Sequence, residues 1–222
     1  MYRILLTGFL PFGGESVNPS LEAVRSIQVE FPNVELIRLE VPTIFGEAER
    51  MVIEQVSFCR PHAVLCTGLA SGRTDVSIER VAINVDDARI PDTAGQQPLD
   101  VPIQPHGPAA YFSTLPIKSI AQAILSAGVP VEISNTAGTY VCNHLMYQVL
   151  HYTTHRCPAV RAGFIHVPFG KEHLNGRNIP ALPMKQITAA LETAIYTPEQ
   201  RRVRGKEYAL GKRSLTTLHQ PG

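Results

Sequence analysis

The sequence predicts an α/β fold in which helices cover both faces of a mostly parallel, twisted central sheet. Apolar runs of strand length alternate with segments of helical periodicity along most of the chain, and this alternation is typical of parallel sheets. The length of 222 residues and the hydrophobic content of 44% suit one domain with a sizeable core. We therefore expect a single-domain α/β/α sandwich over residues 1–222, with a polar, basic C-terminal tail from about residue 198.

The first part of the chain predicts three strands joined by two helices. The first strand, Arg3–Thr7, has an apolar centre, as expected for a strand buried on both faces of a parallel sheet. Asn18, Pro19 and Ser20 are residue types that begin a helix. A strand, a helix and a strand follow at Val34–Val41, Glu47–Phe58 and Ala63–Thr67. This order predicts parallel neighbours joined by helical crossovers.

The second part is less regular. Ser77–Val85 has the composition of a strand, although Glu79 and Arg80 lie in its middle, and residues 86–108 form a proline-rich loop. A loop of this length usually carries a function. Periodicity and short apolar runs then predict a helix from Ile117 that ends at Gly128, a strand at Val131–Ser134, a helix at about Val141–Tyr152, a strand at Val160–Val167 and a helix that uses Met184, Ile187, Leu191 and Ile195.

Composition disfavours several classes of partner. Twenty Lys and Arg residues against nineteen Asp and Glu give a formal net charge of +1, which does not select nucleic acid or an anionic membrane. Four cysteines are too few for a disulfide framework, and none forms a CxxC pair. No apolar run approaches the roughly 18 residues of a spanning helix. We expect a cytoplasmic protein with reduced thiols that binds a small or neutral ligand.

The segment Gly8–Gly14 follows the first strand, where doubly wound sheets place ligand loops. Its sequence, GFLPFGG, lacks the spacing of both nucleotide-binding glycine motifs, so it supports phosphate binding only weakly. It does place Phe9 and Phe12 at the C-terminal end of a strand, where ligands bind in such sheets. By position alone, the two rings are equally consistent with a ligand site and with the core.

Three residues are candidates for nucleophilic catalysis. Cys142 follows a strand and a glycine-containing turn at the start of a predicted helix, where backbone N–H groups favour a thiolate and can hold an oxyanion. His166 ends a buried strand at the same edge of the sheet. Glu79 is a carboxylate in strand-like sequence and needs a partner there. If its role were that of a structural ion pair, we expect Arg80 or Arg89 to be the partner. Together, Cys142, His166 and Glu79 provide a nucleophile, a base and an orienting group.

Two other histidines do not have the pattern of a metal-dependent peptidase. His151 and His155 are four residues apart on a predicted helix, but no glutamate follows the first of them. The general base of a zinc peptidase helix is therefore missing. We interpret both as solvated or hydrogen-bonded helix residues.

Several long motifs resemble those of the pyroglutamyl-peptidase I family of cysteine peptidases, which remove N-terminal pyroglutamate. The motifs are TGFLPFGG followed by NPS, GLASGR leading to ERVAIN, DDARIPD, SNTAGTYVCN and GFIHVPF, in the family's order, and the similarity extends to about Pro198. The resemblance implies that Cys142 is the nucleophile and His166 the general base and then acid. It also implies that Glu79 orients His166.

The resemblance assigns the remaining site residues as well. Arg89, in DDARIPD, is implied to stabilise the oxyanion together with the backbone N–H of Cys142. Phe9 and Phe12 are implied to hold the pyrrolidone ring, and Leu69 to contribute a backbone contact. The family pattern further implies a thioester intermediate, N-terminally pyroglutamylated peptides as substrates, a homotetramer, and no metal or cofactor.

Two other functions are compatible with parts of the sequence. Another cysteine amidohydrolase, such as a glutamine amidotransferase, would hydrolyse glutamine and not pyroglutamyl amides. A nucleotide-binding α/β module would use GFLPFGG as a phosphate loop and would be stabilised by nucleotides. The order and spacing of the long motifs favour the peptidase.

Overall fold

A six-stranded sheet forms the centre of the protein in the computed structural model, which describes residues 1–28 and 34–203, the last six by their backbone alone. The strands are β1 Tyr2–Phe9, β2 Val34–Val41, β3 Ala63–Leu69, β4 Val76–Glu79, β5 Val81–Ile83, β6 Ala110–Phe112, β7 Val131–Ser134, β8 Arg161–Val167, β9 Phe169–Gly170 and β10 Ala181–Leu182. The helices are α1 Pro19–Ser26, α2 Glu47–Cys59, α3 Ile117–Ser126, α4 Val141–Arg156 and α5 Met184–Val203.

The central sheet is parallel except at one junction. Its strand order is β2-β1-β3-β8-β4-β7, and β4 runs antiparallel to β8. In this register Ser77 pairs with His166, and Glu79 lies two residues further along β4. Because side chains alternate between the faces of a sheet with a period of two, Glu79 and His166 project from the same face.

Helices cover both faces, which confirms the predicted sandwich. On one face, α1, α3 and α5 enclose a core that includes Ile4, Ile78 and Leu191. On the other, α2 and α4 pack over a second core that includes Phe9 and Phe164. The functional residues discussed below lie on the α2–α4 face.

Local signals account for most of the element boundaries. Asn18 caps α1, since its side-chain oxygen accepts a hydrogen bond from the backbone N–H of Ser20 at 3.0 Å. Leu21 and Val24 of α1 are buried against the sheet. The loop at 86–108 is confirmed, and an isolated bridge between Asp86 and Val101 ties its two limbs together.

The strand predicted at Ser77–Val85 is wrong in one respect, because it is divided into β4 and β5. The chain leaves the central sheet after Glu79, and β5 pairs antiparallel with β6 in a separate two-stranded sheet. The composition of this segment did not reveal the break. Arg80 lies at the break, and its side chain donates to the Asn135 side chain at 2.8 Å.

The C-terminal part was predicted as a tail from residue 198. The backbone of α5 continues as a helix to Val203, so the first residues of the predicted tail extend a helix. Residues 204–222, with most of the basic residues of that prediction, lie outside the described part of the chain.

Gly8 allows α1 to pack closely on β1. A Cβ atom at this position would lie 2.8 Å from the Cα atom of Leu21, and a backbone atom cannot move aside as a flexible side chain can. We expect Gly8→Ala to reduce the free energy of unfolding by about 1–3 kcal/mol through overpacking. Urea denaturation measures this loss, with Ser26→Ala at the exposed end of α1 as the control. An unchanged midpoint for Gly8→Ala would show that this contact does not limit the packing of α1.

Candidate active site

A cavity of about 460 Å³ lies at the carboxyl ends of β1 and β3 and at the start of α4. Its wall contains six of the residues singled out in the sequence, namely Phe9, Phe12, Leu69, Arg89, Cys142 and His166. Glu79, the seventh, is fully buried behind His166. The fold thus collects residues from five separate motifs around one cavity, in the crevice where α/β sheets bind ligands.

Cys142 is the second residue of α4 and is half-buried at the cavity wall. Gly68 on β3 makes room for its thiol, because a Cβ atom at Gly68 would lie 3.1 Å from Sγ of Cys142 and 2.9 Å from Cζ of Phe164. Gly68 is also the register partner of His166 across β3 and β8. The thiol and the imidazole therefore lie over the same face of the sheet.

Gly68 lies at the candidate site but was not predicted from the sequence. Its available signal was a glycine inside a strand pattern, which often marks close approach by another group.

His166 and Glu79 form a buried pair. Nδ1 of His166 lies 2.7 Å from Oε1 of Glu79, and the two residues are 4% and 0% exposed. With Nδ1–H donating to the carboxylate, Nε2 is the nitrogen left with a lone pair. His166 lines the cavity, so this arrangement suits a base that acts on a group inside it.

Arg73 is the second partner of Glu79. Its Nη1 lies 2.7 Å from the same Oε1, and its Nη2 donates to the backbone carbonyl of Thr136 at 2.9 Å. The expectation that Arg80 or Arg89 pairs with Glu79 is therefore wrong. Arg73 belongs to the GLASGR motif, and its position six residues before a buried carboxylate was the signal that could have identified it.

Glu79 is held in its ionised form. Burial alone would raise the pKa of this carboxyl, but hydrogen bonds from His166 and Ser134 and the charges of His166 and Arg73 outweigh burial and lower it. A carboxylate in this state can hold the imidazole orientation and stabilise an imidazolium.

The Cys142 thiol differs from its expected state. The helix N-terminus predicts a lowered pKa, but burial, reinforced by the negative charge of Glu79, raises the pKa of Cys142 to about 12, and Arg73 offsets only part of this. The resting group is therefore a neutral thiol, which must lose its proton to a base as it attacks.

The loop at 86–108 brings Arg89 to the cavity. Two hydrogen bonds fasten this loop to the turn before α4: the Asp87 N–H donates to the Thr139 carbonyl at 2.9 Å, and the Thr139 hydroxyl donates to the Asp87 carbonyl at 2.8 Å. Arg89 is exposed at the mouth of the cavity. It can therefore present its guanidinium to a ligand near Cys142.

Aromatic rings line another part of the cavity. Phe9 is 2% exposed, whereas Phe12 is half-buried, and the Phe12 ring centroid lies 6.4 Å from that of Tyr140. Tyr140 was not identified from the sequence, although it lies in the SNTAGTYVCN motif. It packs edge-on against Phe45 at 5.4 Å. The cavity therefore offers flat apolar surfaces beside a thiol.

Two further features of the described residues concern metal binding and membrane spanning. No cluster of three or more His, Cys, Asp and Glu side chains there could hold a metal ion. No helix in this part of the chain is long and apolar enough to cross a membrane.

Comparisons with known proteins agree with these motifs. The family model described as pyroglutamyl peptidase matches residues 2–201. A pyrrolidone-carboxylate peptidase of Caldanaerobacter subterraneus is 50% identical over 194 residues, which cover 87% of this chain and 96% of that protein. A pyrrolidone-carboxylate peptidase of Streptococcus pyogenes serotype M1 is 50% identical over 195 residues, which cover 87% and 91% of the two chains.

Solved structures show the same similarity. Pyroglutamyl peptidase I of Bacillus amyloliquefaciens superposes with a TM-score of 0.86 at 42% identity, covering 89% of this chain and 96% of that one. A mutant pyrrolidone carboxyl peptidase of Pyrococcus furiosus superposes with a TM-score of 0.84 at 37% identity, covering 89% and 99%. The chain therefore belongs to the pyroglutamyl peptidase family, the cysteine omega peptidases that remove N-terminal pyroglutamate.

Proposed function

We propose that this chain hydrolyses the amide bond that joins an N-terminal pyroglutamyl residue to the rest of a peptide, through a thioester on Cys142. The observation that carries the proposal is the buried His166–Glu79 pair, placed on the same face of the sheet as the Cys142 thiol at the wall of one cavity. Membership of the family supports the substrate class. Neither the amidotransferase nor the nucleotide-binding alternative has comparable support.

The first half of the reaction forms the thioester. Nε2 of His166 takes the thiol proton as Sγ of Cys142 attacks the carbonyl carbon, whose π electrons move to the oxygen. The oxyanion then reforms the carbonyl and expels the leaving nitrogen, which receives the proton from His166. The products are a free amine and an acyl-enzyme.

The second half regenerates the enzyme. His166 takes a proton from water as the water oxygen attacks the thioester carbonyl. The second oxyanion collapses, the C–S bond breaks, and the proton returns to the sulfur. Pyroglutamate leaves and Cys142 is again a neutral thiol, the form that its raised pKa favours.

Glu79 and Arg73 support both halves from the interior. Glu79 fixes Nδ1–H of His166 and stabilises the imidazolium present after each proton transfer. Arg73 binds the same carboxylate oxygen and the Thr136 carbonyl. It thereby links Glu79 to the segment that leads into α4 and to Cys142.

Two groups are placed to stabilise the oxyanions. The backbone N–H of Cys142 is in the first turn of α4, where such groups have no partner within the helix. Arg89 adds a charged donor from the loop. Donors fixed at the site of developing charge are among the largest contributions to catalysis of acyl transfer.

The pocket chemistry suits a lactam. The five-membered ring is flat and neutral, so Phe9 and Phe12 can cover its faces while the backbone at Leu69 pairs with its polar edge. The cavity includes apolar walls from these side chains, so an uncharged ring loses little on leaving water. A charged amine in the same place would be desolvated at high cost.

We further propose that the enzyme works in the cytoplasm as a homotetramer. All four cysteines are free in the structure, which suits a reducing compartment. Phe58, Leu99 and Phe112 are 85%, 66% and 67% exposed. Contacts between copies of the chain would cover such side chains.

The first test concerns the nucleophile. Cys142→Ser should fold but lose turnover by about 10³-fold or more, because an alcohol is much harder to ionise beside the same base. Hydrolysis of a pyroglutamyl fluorogenic amide measures the loss, and circular dichroism checks the fold.

Alkylation provides the companion measurement. Iodoacetamide at neutral pH should label Cys142 in parallel with loss of activity, and His166→Ala should slow this labelling because no base then takes the thiol proton as the sulfur attacks the reagent. Cys157, which is half-buried, is the internal control whose labelling His166→Ala leaves unchanged. Loss of activity that follows labelling of another cysteine would contradict the assignment.

The second test concerns Glu79. Glu79→Gln should lower kcat more than tenfold and leave KM nearly unchanged, because the carboxylate acts through His166 and not on the substrate. Glu132→Gln on neighbouring β7 is the matched control, since Glu132 is exposed and accepts a hydrogen bond from Ser77. Wild-type turnover in Glu79→Gln would show that Glu79 has only a structural role, as the ion-pair partner of Arg73.

The pH dependence of stability gives a second measurement on Glu79. The folded pKa of Glu79 lies below its ordinary value of 4.5, so its stabilising contribution is present above that value and is lost as the pH falls through the folded pKa. The wild-type melting temperature should therefore fall more steeply below pH 4.5 than that of Glu79→Gln. Parallel curves would show that Glu79 is not held as a carboxylate.

The third test concerns specificity. Prolyl amides have the same ring size as pyroglutamyl amides but lack the lactam carbonyl, which leaves a buried donor unpaired at a cost of roughly 1–3 kcal/mol. The cationic amines of prolyl and glutaminyl amides add a desolvation penalty against Phe9 and Phe12. We expect discrimination on the order of 10³ or more in kcat/KM. Comparable values for any two of the matched pyroglutamyl, prolyl and glutaminyl fluorogenic amides would contradict the lactam pocket.

A further inference from the structure

Three consecutive residues at the start of α4 each contact a different part of the protein. Cys142 faces the cavity. Asn143 is fully buried, and its amide accepts from the Ile83 N–H at 2.9 Å and donates to the carbonyls of Ile83 and Val85 at 2.9 and 3.0 Å. His144 is buried beside them and faces two carboxylates. The turn that carries the nucleophile therefore also holds the chain that leads into the loop at 86–108.

Both ring nitrogens of His144 lie close to carboxylate oxygens. Nδ1 is 2.7 Å from Oδ2 of Asp86, and Nε2 is 3.1 Å from Oε1 of Glu49. The Nδ1 contact is a hydrogen bond, whereas the Nε2 contact is an ion pair by distance. A ring that faces two carboxylates in this way is favoured as the imidazolium, which carries a proton on each nitrogen. Asp86, Glu49 and His144 are 5%, 8% and 7% exposed. A charge-assisted bridge at this depth is shielded from water and salt, unlike a surface ion pair.

The surroundings of His144 keep it charged at neutral pH. Burial alone would lower the pKa of this imidazole, but the hydrogen bond to Asp86 and the negative charges of Glu49 and Asp86 raise it to about 9. The ring packs edge-on against Phe45 at 5.5 Å. Asp92 lies next to this group and accepts a hydrogen bond from the Phe45 N–H at 2.9 Å. Glu49 from α2 and Asp86 from the loop are thus the carboxylates that face the ring directly.

Both carboxylates belong to elements that determine where Arg89 lies. Asp86 begins the loop, exchanges backbone hydrogen bonds with Val101 at 2.8 and 3.0 Å, and is three residues before Arg89. Glu49 lies in the first turn of α2. Residues 43–45, which precede α2, bind the loop at Asp92 and Thr93. His144 therefore joins α4 to both anchors of the loop.

We propose that His144 is a positioning residue for the peptidase reaction: by bridging Asp86 and Glu49, it fixes Arg89 relative to the thiol and backbone N–H of Cys142. The inference rests on the proposed function, since it assumes that Arg89 stabilises the oxyanion. His144 does not touch the substrate, because its ring is enclosed by Asp86, Glu49 and Phe45. Its effect reaches the reaction through the loop.

The experiment uses His144→Gln in the full-length chain. Glutamine cannot carry the charge or bridge both carboxylates. The matched control is Val149→Ala, a truncation of a side chain on the same helix that is 1% exposed and outside the site. Each variant is assayed well below its melting temperature for kcat and KM on a pyroglutamyl fluorogenic amide. Hydrogen exchange of peptides from residues 86–101 is followed by mass spectrometry.

His144→Gln should lower kcat about 10- to 100-fold with KM changed less than threefold, as a displaced donor near the reacting atoms would. Exchange in 86–101 should rise, whereas Val149→Ala should lower the melting temperature and leave kcat unchanged. In an Arg89→Met background, the further loss from His144→Gln should be less than threefold, because the two residues act through one route.

The pH dependence provides an independent measurement of the bridge. The folded pKa of His144, about 9, is above its ordinary value of 6.5, so the stabilisation is complete below pH 6.5 and is lost as the pH rises through 9. The melting temperature of wild type should therefore fall towards that of His144→Gln over this range. In His144→Gln and in the double variant Asp86→Asn/Glu49→Gln, the melting temperature should change little between pH 6.5 and pH 9.

Wild-type kcat and loop exchange in folded His144→Gln would overturn the inference, as would full additivity with Arg89→Met. A failure of the proposed function has a different signature. In that case, the wild-type enzyme would not hydrolyse the pyroglutamyl amide, or Cys142→Ser would retain activity.

Discussion

The buried carboxylate of Glu79 is the constraint on which the site depends. A fully buried charge is costly unless several donors surround it, and here His166 and Arg73 bind the same oxygen. Each donor comes from a different element: His166 from β8, and Arg73 from the turn after β3. The two contacts to Oε1 of Glu79 thus hold the imidazole orientation. Arg73 also binds the Thr136 carbonyl, in the segment that leads into α4.

The antiparallel strand β4 makes this arrangement possible. A parallel sheet brings the carboxyl ends of its strands to one edge, and β1, β3 and β8 follow that rule. β4 runs antiparallel to β8, so Glu79 lies opposite Phe164, two residues before His166 on β8. Glu79 therefore contacts His166 from the interior of the sheet and not from the cavity. The His166 imidazole is therefore held from the dry interior through Nδ1, while the residue lines the cavity on its other side.

Burial raises the pKa of the Cys142 thiol although the residue lies at the start of a helix. The start of α4 provides free N–H groups, yet desolvation and the negative charge of Glu79 keep the Cys142 thiol protonated. In the proposed reaction, the charges that need stabilisation are those that develop on the imidazole and on the oxyanion. The first turn of α4 also binds the start of the loop through Asn143 and His144. Cys142 and the loop are therefore held by the same turn.

The sequence by itself determined the alternation of strands and helices, the cap at Asn18 and the residue types of the site, because periodicity, capping and motif spacing are local properties. It also grouped Cys142, His166 and Glu79 as candidates from their chemistry. Tertiary structure alone decided that β4 reverses direction, that Arg73 and not Arg80 or Arg89 neutralises Glu79, and that Gly68 leaves space for the thiol. It also decided the protonation of Cys142 and the pairing of His144 with Asp86 and Glu49. These features depend on which distant groups meet inside a region without water, where the strength of every charge is set by its neighbours, and local sequence carries little information about those neighbours.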